Sequence, residues 1–283
     1  MPGGAWEHRR ESVSTLPIGR LGVIFVVLAC GGLALAQQAA PEAAGAEQEL
    51  FGMINHDREQ QGVSGLQWNE WLALAARKHA EEMARRGQLS HRFPGEPGLL
   101  DRIAATRLHF DAAAENVAFG STAAEINDGW MHSPGHRANI LEAKYNAIGL
   151  AMVRSGNALY AVADFAHSVP TLSSSDLEDA VATAINQVRA QRKLPALPRR
   201  QDLELRRYAC QMAKTNRVNA DALLSRPGVN ASFAFTDADP ANFGSHLRDV
   251  ANVETSNAFA VGACFARSSR YPEGTNWIVV TFY

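Results

Sequence analysis

The stretch "MINHDREQQGVSGLQWNEWL", residues 53–72, returns later in the chain as "AINQVRAQRKLPALPRRQDL", residues 184–203. Ile54, Asn55, Arg58, Gln60 and Leu66 match Ile185, Asn186, Arg189, Gln191 and Leu197 at one constant offset. Further on, Ala80, Met83 and Ala84 match Ala209, Met212 and Ala213 once a short deletion is allowed. The closing segments correspond as well: "AIGLAMVRSGNALYAVADF", 147–165, against "AVGACFARSSRYPEGTNWIVVTF", 260–282. Self-similarity at a long fixed spacing describes two copies of one structural unit. The copies are expected at residues 47–168 and 176–283. The serine-rich, proline-bearing "HSVPTLSSSD", 167–176, reads as the connection, with the linker proper at 169–175.

A chain of 283 residues has room for two such units. Hydrophobic residues are 46% and charged residues 20%, an ordinary globular balance. A formal net charge of −2 gives no basic face, so nucleic acid is not an expected partner. At the N-terminus, Arg9, Arg10 and Arg20 lead into "LGVIFVVLACGGLALA", 21–36, which ends in the small-x-small Ala34-Leu35-Ala36. That pattern describes a secretory signal peptide over residues 1–36, removed on export to the periplasm or the medium. Residues 37–46, "QQAAPEAAGA", then read as a flexible leader. The apolar run is too short to span a bilayer, so the mature chain is expected to carry no spanning helix. A variant is open: "VLAC" before Gly31 weakly resembles a lipoprotein signal, with Cys30 lipidated. The two remaining cysteines, Cys210 and Cys264, either form a bridge in the oxidising compartment or are buried small apolar residues.

Within the first copy, Glu47 to Gln61 has one apolar face (Leu50, Phe51, Ile54) and Gly62 to stop it. Glu70 to Arg86 is a second helix, with Leu72, Ala75, Ala76, His79, Ala80 and Met83 inward and Gly87 as its end. Trp68 and Trp71 flank its start and read as core or staple residues. Thr122-x-x-Glu125 is a capping box that opens a third helix. Residues 147–154 and 158–166 are apolar strands joined by a Ser-Gly-Asn turn. Helices followed by a terminal hairpin give an α/β domain with an antiparallel sheet.

"WMHSPGHRANIL", 130–141, holds two histidines at the i, i+4 spacing of many zinc hydrolases. Pro134 belongs at the first position of a helix and Ser133 at its N-cap. This divides the pair: His132 precedes the cap with a non-helical backbone, and His136 lies in the new first turn. A neutral imidazole there can accept a proton, bind a metal or hydrogen-bond a neighbouring loop. Arg137 is expected at the rim of any cleft beside it.

Taken together and in this order, "GQLSH" (87–91), "AENVAFG" (114–120), "WMHSPGHRANIL" and the strand "VADFA" resemble the bacterial branch of the CAP superfamily, which joins cysteine-rich secretory, antigen 5 and pathogenesis-related proteins. The resemblance covers roughly residues 47–167. It implies a three-layer α-β-α sandwich around a cleft, where two histidines and two acids can hold a divalent metal such as Zn²⁺. Carried over by motif, His91, Glu115 and His136 line that cleft, and Ser133 stands where the second acid would be. Two imidazoles and one carboxylate can make an open zinc site or a metal-free hydrogen-bonded network. Glu96 and Asp128 read as solvated charges. The second copy has none of the three motifs, and His246 is its one histidine, so these residues are not needed for the fold. The function expected is a binding module for a metal, a lipid or another cell-envelope or extracellular ligand (glycan or protein). The alternatives are a metal-assisted hydrolase in the same cleft and a purely structural interaction module; catalysis is left open.

Overall fold

The computed structural model describes residues 31–250, 253 and 255–283. The signal-peptide reading lies largely outside these residues, and Cys30 wholly so. Among the described residues no helix is long and apolar enough to cross a membrane.

Residues Ala39–Tyr283 form one compact unit that holds two four-stranded sheets. The elements of the first half are α1 (Gly31–Gln60), β1 (Gln67–Trp68), α2 (Glu70–Arg86), α3 (Leu99–Ala104), β2 (Phe110–Gly120), α4 (Ala123–His132), α5 (Pro134–Leu141), β3 (Ala147–Ser155) and β4 (Ala158–Ser168). Helix α2 has the expected bounds, with Asn69 capping its start and Gly87 ending it in the left-handed region at φ 63°. Helix α1 corrects the sequence reading. It runs through residues 37–46, so the supposed flexible leader is helical.

The strand order is β1-β3-β4-β2, with β1 parallel to β3 and the other pairs antiparallel. Side chains alternate between the two faces of a strand. Ile148, Leu150 and Met152 of β3 pack with Leu50 and Ile54 of α1, Ile126 and Trp130 of α4, and Ile140 of α5. The opposite face takes α2 and α3, through Leu72, Ala75 and Ile103 on one patch and Ala76, Ala80 and Met83 on the next. The result is an α-β-α sandwich. The central strands β3 and β4 are buried on both faces and therefore read as continuous apolar runs.

The second half comprises α6 (Ser174–Gln191), β5 (Arg199–Arg200), α7 (Leu203–Thr215), β6 (Ala231–Asp237), α8 (Phe243–Val250), β7 (Phe259–Ala266) and β8 (Thr275–Phe282). Its sheet has the same order, β5-β7-β8-β6, again with one short parallel strand. Helices α6 and α8 cover one face and α7 the other. The sequence matches identify side chains with the same jobs. Asn55 brackets Leu66 with two backbone bonds of 2.7 and 3.1 Å, and Asn186 brackets Leu197 with two of 3.0 Å. Helix α7 has 13 residues against 17 in α2, about one turn less. The Cys210–Cys264 alternative resolves to a disulfide joining α7 to β7. Between the halves, the Phe265 ring stacks on His109 with centroids 3.9 Å apart, and Arg267 donates to the Thr106 carbonyl at 3.4 Å.

Gly149 and Gly262 mark the closest approach of helix to sheet. A Cβ on Gly149 would lie 2.0 Å from the Ala73 backbone nitrogen, and one on Gly262 would lie 2.2 Å from the Leu205 carbonyl carbon. Backbone cannot yield as a side-chain tip can. Gly149→Ala is therefore expected to push α2 off the sheet and to cost about 2 kcal/mol or more of stability, measured by urea unfolding. Stability equal to that of the parent would show that the helix has room to move.

Candidate functional site

Strand β2 is an edge strand, and its alternation builds the site from both sides. Glu115 lies opposite Asp164 of β4, and its neighbour Asn116 lies opposite Ala163. Consecutive residues face opposite ways, so Glu115 joins the α2/α3 layer and Asn116 the α4/α5 layer. The outer edge of β2 is covered by side chains instead of another strand. Trp130 Nε1 donates to the Val117 carbonyl at 3.3 Å, and Asn139 Nδ2 reaches the Glu115 carbonyl at 3.4 Å.

The Glu115 carboxylate is buried. One oxygen accepts from His91 Nδ1 at 2.9 Å, and the other is ion-paired with the buried Arg102 of α3. Arg102 also donates to the Pro97 carbonyl at 3.2 Å, so α3 is tied to the loop that carries His91. His79 of α2 is fully buried beneath this pair. Its Nδ1 bonds Glu96 at 2.6 Å, its Nε2 bonds the Ser90 carbonyl at 2.7 Å, and its Nε2 lies 4.0 Å from the Glu115 carboxylate. Ser90 precedes His91, so His79 also holds the histidine loop in place. Asp164 is buried against Glu115, its partner on the neighbouring strand. Burial first, and then the Glu115 charge, push its carboxyl well above the usual range against the pull of Arg102.

On the other side of β2, His136 stands in the first turn of α5 and lines a cleft of about 450 Å³. The cleft is lined by the apolar side chains of Leu89, Val117, Phe119, Ile126 and Trp130 and by the polar ones of Ser133, Glu125 and Asp128. Its mouth leaves Phe119 60% exposed and Leu89 45% exposed. Burial, and then the charge of His91, lower the His136 pKa from the ordinary 6.5. The two imidazoles are thus in electrostatic reach of each other.

Of the residues expected in the cleft, His136 and Ser133 line it, and His91 and Glu115 form a bonded pair beside it. Arg137 is directed elsewhere: its guanidinium donates to Gln61 Oε1 at 3.2 Å, at the end of α1. Ser133 is the N-cap of α5 with Pro134 following, but its hydroxyl makes no capping bond. His132 is helical, the last residue of α4, and bonds the Asp128 carbonyl at 2.9 Å. The helix break still falls between the two histidines. Glu96, read as solvated, accepts from His79 and from the Phe93 amide at 3.0 Å. Trp71 is 38% exposed beneath Arg107 and is not a core residue.

The donor set does not fit a divalent metal. Both Glu115 oxygens are engaged, one of them by a guanidinium. Among the described residues no three His, Cys, Asp or Glu side chains group as ligands. Arg102, His79 and Asp164 were not singled out from sequence as members of the site. The available signals were an acid inside the apolar run "AVADFA" and an imidazole inside the apolar stripe of α2.

Residues 51–165 match the family model described as the cysteine-rich secretory protein family, CAP. Two proteins of Bacillus subtilis (strain 168) align over 112 residues each. YkwD is 32% identical, over 39% of this chain and 44% of its own length. YlbC, described as a membrane protein, is 30% identical, over 38% of this chain and 32% of its own. The chain thus spans less than half the length of either relative. An extracellular Bacillus anthracis protein containing an SCP domain superposes with a TM-score of 0.43 at 25% identity, over 46% of this chain and 43% of that one.

A histidine whose folded pKa is lowered contributes stability that is complete above its unfolded value and is lost as pH falls through the folded one. The His136 ring is therefore expected to titrate below 6.5 by NMR. In His91→Gln its midpoint should rise yet stay below that value, because the burial remains. A midpoint at or above 6.5 in the parent protein would contradict the geometry.

Proposed function

We propose that residues 51–165, which match the CAP family model, form a CAP-type domain, and that the chain is an exported binding module that takes an amphiphilic cell-envelope ligand in the cleft beside β2. The observation that carries this reading is that Phe119, 60% exposed, and the half-buried His136 line one cleft. Large apolar side chains held open to water beside a polar group are a characteristic of ligand grooves. Leu89, Val117 and Phe119 would cover an acyl chain, while His136, Ser133 and the Glu115-held His91 would meet an acidic or hydroxylated head. Export is supported by the arginine-flanked apolar run that ends at Ala36. The second half supports the assignment by contrast: it has the same strand order, and none of His91, Glu115 or His136 has a counterpart there. A metal-activated water draws no support from the donor set.

Decanoate, with one carboxylate and one short chain, is a suitable calorimetric probe. Saturable binding is expected. Phe119→Ala and His136→Ala should each weaken it about tenfold or more, as loss of one buried large side chain or one charge-assisted bond does. Absence of saturable heat, or parental affinity in both variants, would leave only a structural interaction module. Zn²⁺ should bind the parent no more tightly than it binds His136→Ala.

A further inference from the structure

Strand β2 carries a second polar residue at the site that the cleft as described does not use. Asn116 is fully buried. Its Nδ2 donates to the His136 backbone carbonyl at 3.0 Å, and its Oδ1 accepts from Asn139 Nδ2 at 2.9 Å. The same Asn139 amide reaches the Glu115 carbonyl at 3.4 Å. Two amides thus join the first turn of α5 to the β2 backbone at the residue that holds His91.

A buried amide is costly unless its donors and acceptors are met, and once met it fixes its partners narrowly. The sheet does not need this one. The corresponding edge strand of the second half, β6, reads "ASFAFTD" and contains no amide side chain, and α8 packs there through Phe243 and Leu247. The α4/α5 layer likewise has its own apolar anchors in Ile126, Trp130 and Ile140. What Asn116 adds is registry between His136 and Glu115, which approach from opposite faces of one strand.

We propose that Asn116, oriented by Asn139, is a positioning residue of the cleft, one that sets where the His136 imidazole stands relative to His91 and Glu115. Its effect on ligands rests on the binding function proposed above; its effect on His136 does not. The two are separable in full-length protein labelled with ¹⁵N at histidine. In the parent, His91→Gln should shift the His136 ring signals. In Asn116→Ala and in Asn139→Ala, the His136 signals should move from their parent positions and no longer respond to His91→Gln. Decanoate should bind each variant about fivefold more weakly, the value of one hydrogen bond. Asn139 is half-exposed, so its variant keeps the test available if Asn116→Ala fails to fold. His136 signals left in place in Asn139→Ala, with their response to His91→Gln intact, would overturn the proposal, whatever the loss of thermal stability. Displaced signals in a protein that binds no decanoate would uphold the positioning role and remove the ligand assignment instead.

Discussion

The buried guanidinium of Arg58 is the constraint on which the first half depends. It sits at the end of α1 with no solvent exposure. Its Nε donates to the Ser64 carbonyl at 2.7 Å, and its Nη atoms donate to the carbonyls of Ile140 at 2.6 Å, Glu142 at 3.0 Å and Tyr145 at 3.2 Å. The last carbonyls of a helix lack partners within it. Arg58 supplies them for α5 and extends the same fork to the chain that enters β3. A buried cation survives only when its hydrogen bonds are satisfied, so the arginine and the loops it gathers hold one another. Arg189 plays the matching part in the second half, donating to the carbonyls of Pro195 and Val253 at 2.9 Å each. The frame common to both halves is thus built by one arginine, one asparagine that brackets a leucine, and one glycine beneath a helix.

The cleft is added to that frame in the first half alone. It needs an edge strand, because only there can side chains from both layers meet around one backbone. Glu115 gathers Arg102, His91 and, at longer range, His79 on one side; Asn116 gathers His136 and Asn139 on the other. The α5 helix is then held at both ends, by Asn116 at its first turn and by Arg58 at its last. In the second half β6 presents phenylalanines to α8 instead, and the space becomes core. Covering the outer carbonyls of β2 with Trp130 and Asn139 also blocks the pairing that an open edge invites.

Much of this was legible in the sequence. The repeat located the arginine and asparagine pairs, the capping signals fixed α2 and α4, and Pro134 separated His132 from His136. What escaped had physical reasons. Strand β2 mixes alanines with polar residues because it serves two layers and a cleft, so it has no clean alternation. Glu96 is separated from His79 by a loop, and nothing in local spacing shows that the two meet. Arg102 and Asp164 are charged residues whose burial depends on partners distant in the chain, which no local pattern records. Ser133 obeyed its positional preference without forming the bond that usually explains it.

Arg58 fastens α5, and with it His136, to the chain that enters the sheet at β3. Amide hydrogen exchange in Arg58→Met tests it most directly, since methionine keeps the apolar stem and removes the donors. Exchange of the amides in residues 137–141 should accelerate about tenfold or more relative to the parent, the equivalent of one lost buried bond, while α2 keeps its protection. Unchanged protection across α5 would contradict the claim and leave the helix held by its apolar contacts alone.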